Sequence, residues 1–269
     1  MKPARNVLLT GASSGIGAAT AQHLSARGIA VYGTSRQPRA ASPDEQGVRW
    51  LTLDVREDAS VEQAVATMQR DAEVIDAVVC NAGMGIFGSV EETSIEAARE
   101  QFETNYFGVL RVLRAVLPAM RRQAYGRVIL VGSLAGRAPI PFQSHYSSTK
   151  AAIDALALSL RNEVAPLGIA VSLVEPGNID TPFNEAMNWL EGAESAYTDR
   201  IARCEAEIRE QLPHAPGPAV VAQVIERALT QRRPRVRYAV GESSWLVPLG
   251  RRLLPDRVAL ELIRRTFGV

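Results

Sequence analysis

Short apolar runs alternate along this chain with longer stretches in which apolar residues recur every three or four positions. The first kind reads as a strand buried on both faces, the second as a helix with one core-facing stripe. Strands are expected at Asn6–Thr10 (NVLLT), Ile29–Ser35, Val48–Asp54, Val74–Asn81, Gly126–Ser133 and Ala170–Glu175. Helices are expected near Ile16–Arg27, which Gly28 closes, and at Ser60–Asp71, Ser94–Arg122 and Tyr146–Ala165. In the third of these, Phe102, Tyr106, Val109, Leu113, Val116 and Met120 keep helical spacing over the whole length. This order predicts an α/β fold: a doubly wound parallel sheet of about seven strands, covered by helices on both faces.

No Gly/Pro-rich linker or internal repeat interrupts residues 1–269, so one domain is expected. The pattern changes after Pro176. Residues 178–215 are mixed helical and end in the turn PHAPGP, a long connection that reads as a cover over a substrate. A helix near 218–231, a short strand at Arg237–Gly241 and a basic, amphipathic tail at 242–269 follow. The tail reads as a helix docked on the domain or on a partner subunit, with membrane-surface contact as the alternative.

Composition changes this picture little. Hydrophobic residues make up 46% and charged residues 22% of the chain, and the formal net charge is +1, which gives no reason to expect a nucleic-acid partner. Cys80 and Cys204 follow no CxxC or metal-ligand spacing, and no metal is expected; Cys80, closing the run AVVC, reads as a small buried hydrophobe. There is no apolar run of membrane-spanning length, and the structured pattern starts too early for a signal peptide, so a cytoplasmic protein is expected.

The chemistry begins in TGASSGIG. Gly11, Gly15 and Gly17 stand between the first strand and the first helix, where glycine permits a tight turn and helix amides face an anion; Ser13, Ser14 and Ile16 complete the loop. At the end of the second strand, where an NAD site usually has a carboxylate for the ribose, the chain has Ser35 and Arg36. A guanidinium there suits a 2′-phosphate, so NADP(H) is expected. In HYSSTK, Tyr146 and Lys150 lie one helical turn apart on one face. A free tyrosine titrates near ~10, and a nearby ammonium favours its phenolate, which would turn the pair into a proton donor for a carbonyl being reduced. Ser133 ends the preceding strand at the sheet edge where ligands bind, with its hydroxyl available to the same oxygen. Asn105 is an amide among the core positions of the long helix.

Taken together, TGASSGIG, LDV (53–55), NAG (81–83), NYFG (105–108), Ser133, YSSTK (146–150) and EPGNIDT (175–181) resemble the short-chain dehydrogenases/reductases, over about residues 5–181. The resemblance implies a Rossmann-type sheet and hydride transfer between a nicotinamide and a carbonyl/alcohol pair, with Asn105, Ser133, Tyr146 and Lys150 as the catalytic set. It assigns Asn105 to a water-mediated proton relay with the lysine. It also implies Asp54 and Val55 near the adenine, Asn81, Ala82 and Gly83 along the ribose, Tyr146 and Lys150 on the cofactor as well, and Pro176, Gly177, Ile179 and Thr181 beside the nicotinamide. Cys80 departs from a frequent asparagine, which implies a small change in strand hydrogen bonding. The RYAVG strand and basic tail resemble the steroid- and retinol-dehydrogenase-like branch, and family habit implies a homodimer or homotetramer through helices 94–122 and 146–165.

The substrate should meet loops at the same sheet edge. Met84, Leu134, Ala135, Pro141, Phe142, Phe183, Met187 and Trp189 are expected there, and their apolar character points to a steroid-, retinoid- or acyl-chain-like carbonyl or secondary alcohol. His145 is an expected neighbour of the pocket, His23 and His214 ordinary surface or packing residues. The competing reading from another class is a non-catalytic NADP(H)-binding sensor or scaffold on the same fold.

Overall fold

The computed structural model describes residues 3–40, 43–189, 195–241 and 244–269. Its main sheet has seven parallel strands: β1 (Asn6–Leu9), β2 (Ala30–Ser35), β3 (Arg49–Thr52), β4 (Ala77–Cys80), β6 (Gly126–Val131), β7 (Ile169–Pro176) and β9 (Arg237–Val240). They lie in the order β3-β2-β1-β4-β6-β7-β9, which reverses direction between β1 and β4. That reversal opens a crevice at the carboxyl ends of the strands, and a Rossmann-type sheet binds its ligand there.

Strand alternation sorts the core into two layers. Leu8, Val78, Val128, Leu130, Val171 and Leu173 pack with α2 (Asp58–Ala72), α4 (Gly108–Arg122) and α5 (Ser144–Val164). Their neighbours Val7, Leu9, Val79, Ile129, Val131 and Val174 face the other way, onto α1 (Gly15–Ala26) and α7 (Ala219–Thr230). The inner strands therefore lose water on both sides, and this is why their sequences read as largely apolar runs, whereas the edge strand β3 stays partly exposed.

Two expectations about elements need correction. The helix expected over 94–122 is interrupted: α3 (Ile95–Phe102) and α4 are joined by a π turn, Glu103–Phe107, with Asn105 at its centre. Helical spacing of apolar residues does not reveal such a turn, because one extra residue leaves the core stripe nearly in place. The C-terminal tail is two helices rather than one, α8 (Leu246–Leu253) and α9 (Asp256–Thr266), separated where Pro255 cannot donate to the ladder.

The segment after β7 builds a second, smaller layer. The strands β5 (Ile86–Phe87) and β8 (Asn188–Trp189) pair in parallel, and α6 (Thr198–Gln211) lies nearby. Phe87, Met187, Cys204 and Ile208 form its centre, joined by Phe142, Phe183, Phe267 and Val269. Residues 190–194 of the expected cover and 242–243 of the tail lie outside the described residues. No helix among the described residues is long and apolar enough to cross a membrane.

Candidate active site

The glycine loop leaves β1 and is fastened from behind. The Thr10 hydroxyl accepts from the backbone amides of Asn81 and Ala82 at 3.0 and 3.1 Å, and the Asn81 side-chain amide donates to the carbonyls of Thr10 and Gly11 at 3.1 and 3.0 Å. The Asn81 side chain thus holds the loop, leaving its backbone to face the cleft. Close approach explains two glycines. A Cβ on Gly11 would sit 2.8 Å from the Ala82 Cα, and one on Gly17 only 1.9 Å from the Gly11 carbonyl oxygen. Gly17 does not line the cleft as expected; its lack of a side chain brings α1 against the turn, the packing role of the last glycine in such loops. Ser14 begins α1 without a side-chain cap, and no acidic residue occupies the first turn. The helix amides are thereby left available to an anion such as a pyrophosphate.

A cleft of about 1290 Å³ runs from this loop along the sheet edge. The other predicted cofactor-facing residues all line it, from Ser13 to Thr181. Arg36 stands at the end of β2, exposed and without a carboxylate in ion-pair range among the described residues. Arg56, by contrast, is held by Asp54 with contacts of 2.7–3.2 Å, and this bond holds the Asp54 carboxyl below its ordinary value. The residues fit a dinucleotide: a glycine cradle with no room for a Cβ, uncapped helix amides, and an unpaired guanidinium at the second strand.

Ser133, Tyr146 and Lys150 meet at the centre of the cleft. The Ser133 hydroxyl accepts from the Ala135 amide at 3.1 Å, donates to the Pro176 carbonyl at 3.4 Å, and stands beside the Tyr146 hydroxyl. Lys150 Nζ is 5.6 Å from the centre of the Tyr146 ring and donates to the Val131 carbonyl at 2.9 Å. Burial pushes Tyr146 up to about 12, with the neighbouring Ser133 hydroxyl opposing it, and pushes Lys150 down to about 8. The expected lowering of the tyrosine by its lysine is therefore not what this arrangement holds: desolvation outweighs attraction while the ammonium is turned toward Val131.

Asn105 stands behind the cleft and does not line it. Its side chain accepts from the Met84 amide at 2.8 Å and donates to the Met84 carbonyl at 2.9 Å and the Thr149 hydroxyl at 3.1 Å. Thr149 in turn donates to the Tyr146 carbonyl at 2.8 Å. The π turn and the start of α5 are tied together through this one amide.

The structure brings Met84, Leu134, Ala135, Phe183 and Met187 to the cleft, with the Phe183 ring 5.8 Å from that of Tyr146. Phe142 is a correction: it lies off the cleft, packed on Phe87 and Tyr197 at ring distances of 6.1 and 6.2 Å. Pro141 also lies off the cleft, and Trp189 pairs with Phe87 in the β5–β8 ladder. His145 is not a pocket residue; its Nε2 is buried without a hydrogen-bond partner among the described residues. His23 bonds Glu226 at 2.7 Å, as a packing residue would, whereas His214 unexpectedly reaches the cleft rim. Cys80 and Cys204 are both free and buried thiols, and burial pushes Cys80 up to about 12.

Several site residues were missed. Gln143, 5% exposed at the start of α5, lines the cleft, as do Leu246, Val247, Leu262 and Ile263 of the tail. A half-buried pair, Arg137 to the buried Glu175 at 2.6 and 2.9 Å, clamps the loop after Ser133 to the end of β7. A carboxylate immediately before Pro-Gly at a sheet edge was the available signal for Glu175.

Residues 5–191 match the short chain dehydrogenase family, so the chain belongs to the short-chain dehydrogenases/reductases and is an oxidoreductase of that type. It is 36% identical to a 3-ketodihydrosphingosine reductase of Bacteroides thetaiotaomicron, covering 98% of both chains. It is 33% identical to human 17-beta-hydroxysteroid dehydrogenase type 1, over 93% of this chain and 81% of that one, in keeping with a steroid-dehydrogenase-like branch. A short chain dehydrogenase of Burkholderia cenocepacia solved with NADP superposes with a TM-score of 0.75 at 25% identity, covering 97% and 98% of the two chains. A nicotinamide cofactor fits the family and the cleft alike.

Proposed function

We propose that this protein is an NADP(H)-dependent carbonyl reductase/alcohol dehydrogenase, in one catalytic domain, acting on an apolar ketone or secondary alcohol. The observation that carries it is the single cleft that joins the glycine loop, Arg36, the Ser133–Tyr146–Lys150 cluster and an apolar lining. The reading of NADP over NAD rests on Arg36, whose unpaired guanidinium complements a 2′-phosphate. An apolar substrate is supported by Met84, Leu134, Phe183 and Met187 around Tyr146, and by relatives named for a ketodihydrosphingosine and a hydroxysteroid.

When bound, the nicotinamide supplies or accepts the hydride. The chain's own groups manage the charge that this leaves on oxygen. Ser133 and the Tyr146 hydroxyl receive the substrate oxygen between them, and in reduction Tyr146 gives it a proton. Lys150, swung from Val131 toward the tyrosine or a cofactor ribose, stabilises the phenolate that remains. Asn105 holds the π turn against α5, so that Met84 and Tyr146 keep their places across the cleft, on the route by which the proton is replaced. Residues 178–187 and 207–215, which line the cleft on this side, cover the site and exclude water.

The test is a screen of NADPH oxidation, with NADH in parallel, against long-chain ketones, steroids, retinoids and short aldehydes. Turnover of an apolar ketone with NADPH is expected. Cofactor binding without turnover of any of these would instead favour the sensor or scaffold reading.

A further inference from the structure

The two C-terminal helices leave an apolar stripe open beside the cleft. On α8, Leu246, Leu249 and Leu253 recur at i, i+3 and i+7, and they are 48%, 42% and 68% exposed. Trp245, which precedes them, is 63% exposed. On α9, Val258 and Leu262 follow at i and i+4, 45% and 50% exposed. Leu246 and Leu262 also line the cleft, so the stripe is continuous with its wall. An apolar patch of this size is rarely left to water without a purpose.

Charge says what covers it. The two helices and their ends carry Arg251, Arg252, Arg257, Arg264 and Arg265 against only Asp256 and Glu261, a side-chain balance of +3 in a chain whose net charge is +1. Arg251 is paired with Asp256, and Arg264 and Arg265 with Glu261, whereas Arg252 and Arg257 have no ion-pair partner among the described residues. A two-fold partner would bring the same basic patch against this one, so that like charges face each other. An anionic bilayer is complementary to both the leucines and the arginines: amphipathic helices of this kind lie in the interface, apolar side down.

We propose that α8 and α9 dock this protein on an anionic membrane surface, with the mouth of the cleft against the lipid. Leu246, Leu249, Leu253, Val258 and Leu262 enter the headgroup boundary, and Arg252 and Arg257 meet lipid phosphates. A long-chain substrate then reaches Tyr146 from the bilayer without crossing water. The docking itself does not depend on the catalytic reading, and its test uses no turnover.

The full chain is sedimented with vesicles of phosphatidylcholine, alone and doped with phosphatidylglycerol, while Trp emission is followed. Binding to the doped vesicles with a blue shift that Trp245→Phe removes is expected, weakening as salt rises. Leu249→Ser with Leu253→Ser should cost at least about tenfold in affinity for the doped vesicles. Arg252→Glu with Arg257→Glu should lower affinity about fivefold or more per position, again on the doped vesicles. Neither pair lines the cleft, and an unchanged melting temperature checks that the fold is kept. No sedimentation of the parent chain with doped vesicles overturns the proposal. So does a parent chain that ignores vesicles while Leu249→Ser with Leu253→Ser converts a dimer to a monomer in light scattering, since a second copy then covers the face. Reduction of a soluble ketone by a chain that leaves vesicles alone would overturn the docking only.

Discussion

The two walls of the cleft are made differently. The cofactor-side wall consists of strand ends, the turns that leave them and the first turns of α5, anchored in a sheet whose inner strands are buried on both faces. The substrate-side wall is assembled from pieces distant in sequence: the loop after β4, the loop that leads into α5, the segment after β7, and the tail. Its own core is small, centred on Phe87, Met187, Cys204 and Ile208. A wall fixed by a parallel sheet can hold reacting groups to a fraction of an ångström, whereas a wall resting on a few side chains can open. The difference assigns chemistry to the first and admission of substrate to the second.

The largest expected effect lies on the rigid wall. Tyr146→Phe removes one oxygen and should cut turnover by about 10³-fold while NADPH affinity stays within a factor of about two, the signature of a lost general acid. Retained activity measured by NADPH oxidation would remove Tyr146 from its role. Arg36→Asp comes next. Replacing an attraction to the 2′-phosphate by a repulsion should shift the NADPH-to-NADH preference about 10- to 100-fold toward NADH. Equal titrations of parent and variant with both cofactors would refute the phosphate assignment.

The same wall makes a prediction about pH. Lys150 is lowered by burial from 10.5 to about 8, so it is charged below that value and neutral above it. In reduction its ammonium supports the phenolate that Tyr146 becomes, so the rate should fall as pH rises through about 8, up to tenfold by one unit higher. Lys150→Met should lower the rate and abolish this limb in a pH profile of kcat/KM. The stability sign is opposite. Between 8 and 10.5 the unfolded chain binds more protons at this position than the folded one, so the contribution of Lys150 to stability rises with pH across that window.

Legibility in the sequence follows the same division. The inner strands of the sheet announce themselves as largely apolar runs, because burial on both faces leaves few polar positions to confuse the reading, whereas the edge strand β3 is only partly buried. The glycine loop, Ser133, Tyr146 and Lys150 each sit at a strand end or a first helical turn, and order along the chain was enough to bring them together. Three features were hidden, each for a physical reason. The π turn at Asn105 preserves the apolar stripe. Phe142 has the composition of a pocket residue but is turned onto Phe87, which only the packing of the small layer decides. The contribution of Leu246 and Leu262 depends on a tail folding back across the whole chain, a contact that local pattern does not encode.

The smallest effect tests the soft wall. Ile208 is 8% exposed, lines the cleft, and packs with Phe87, Met187 and Cys204. Truncation to alanine removes three buried carbons from a layer that rests on few contacts, at about 0.8 kcal/mol per carbon if the layer cannot close over the gap. Because the sheet does not depend on that layer, NADPH affinity should be unchanged. Because the cover is loosened, KM for an apolar ketone should rise several-fold, up to about tenfold, while kcat moves little. Fluorescence titration with NADPH and steady-state kinetics on the same ketone separate the two. Parallel losses of cofactor affinity and KM would mean that the walls move as one body, and the division of labour between them would fail.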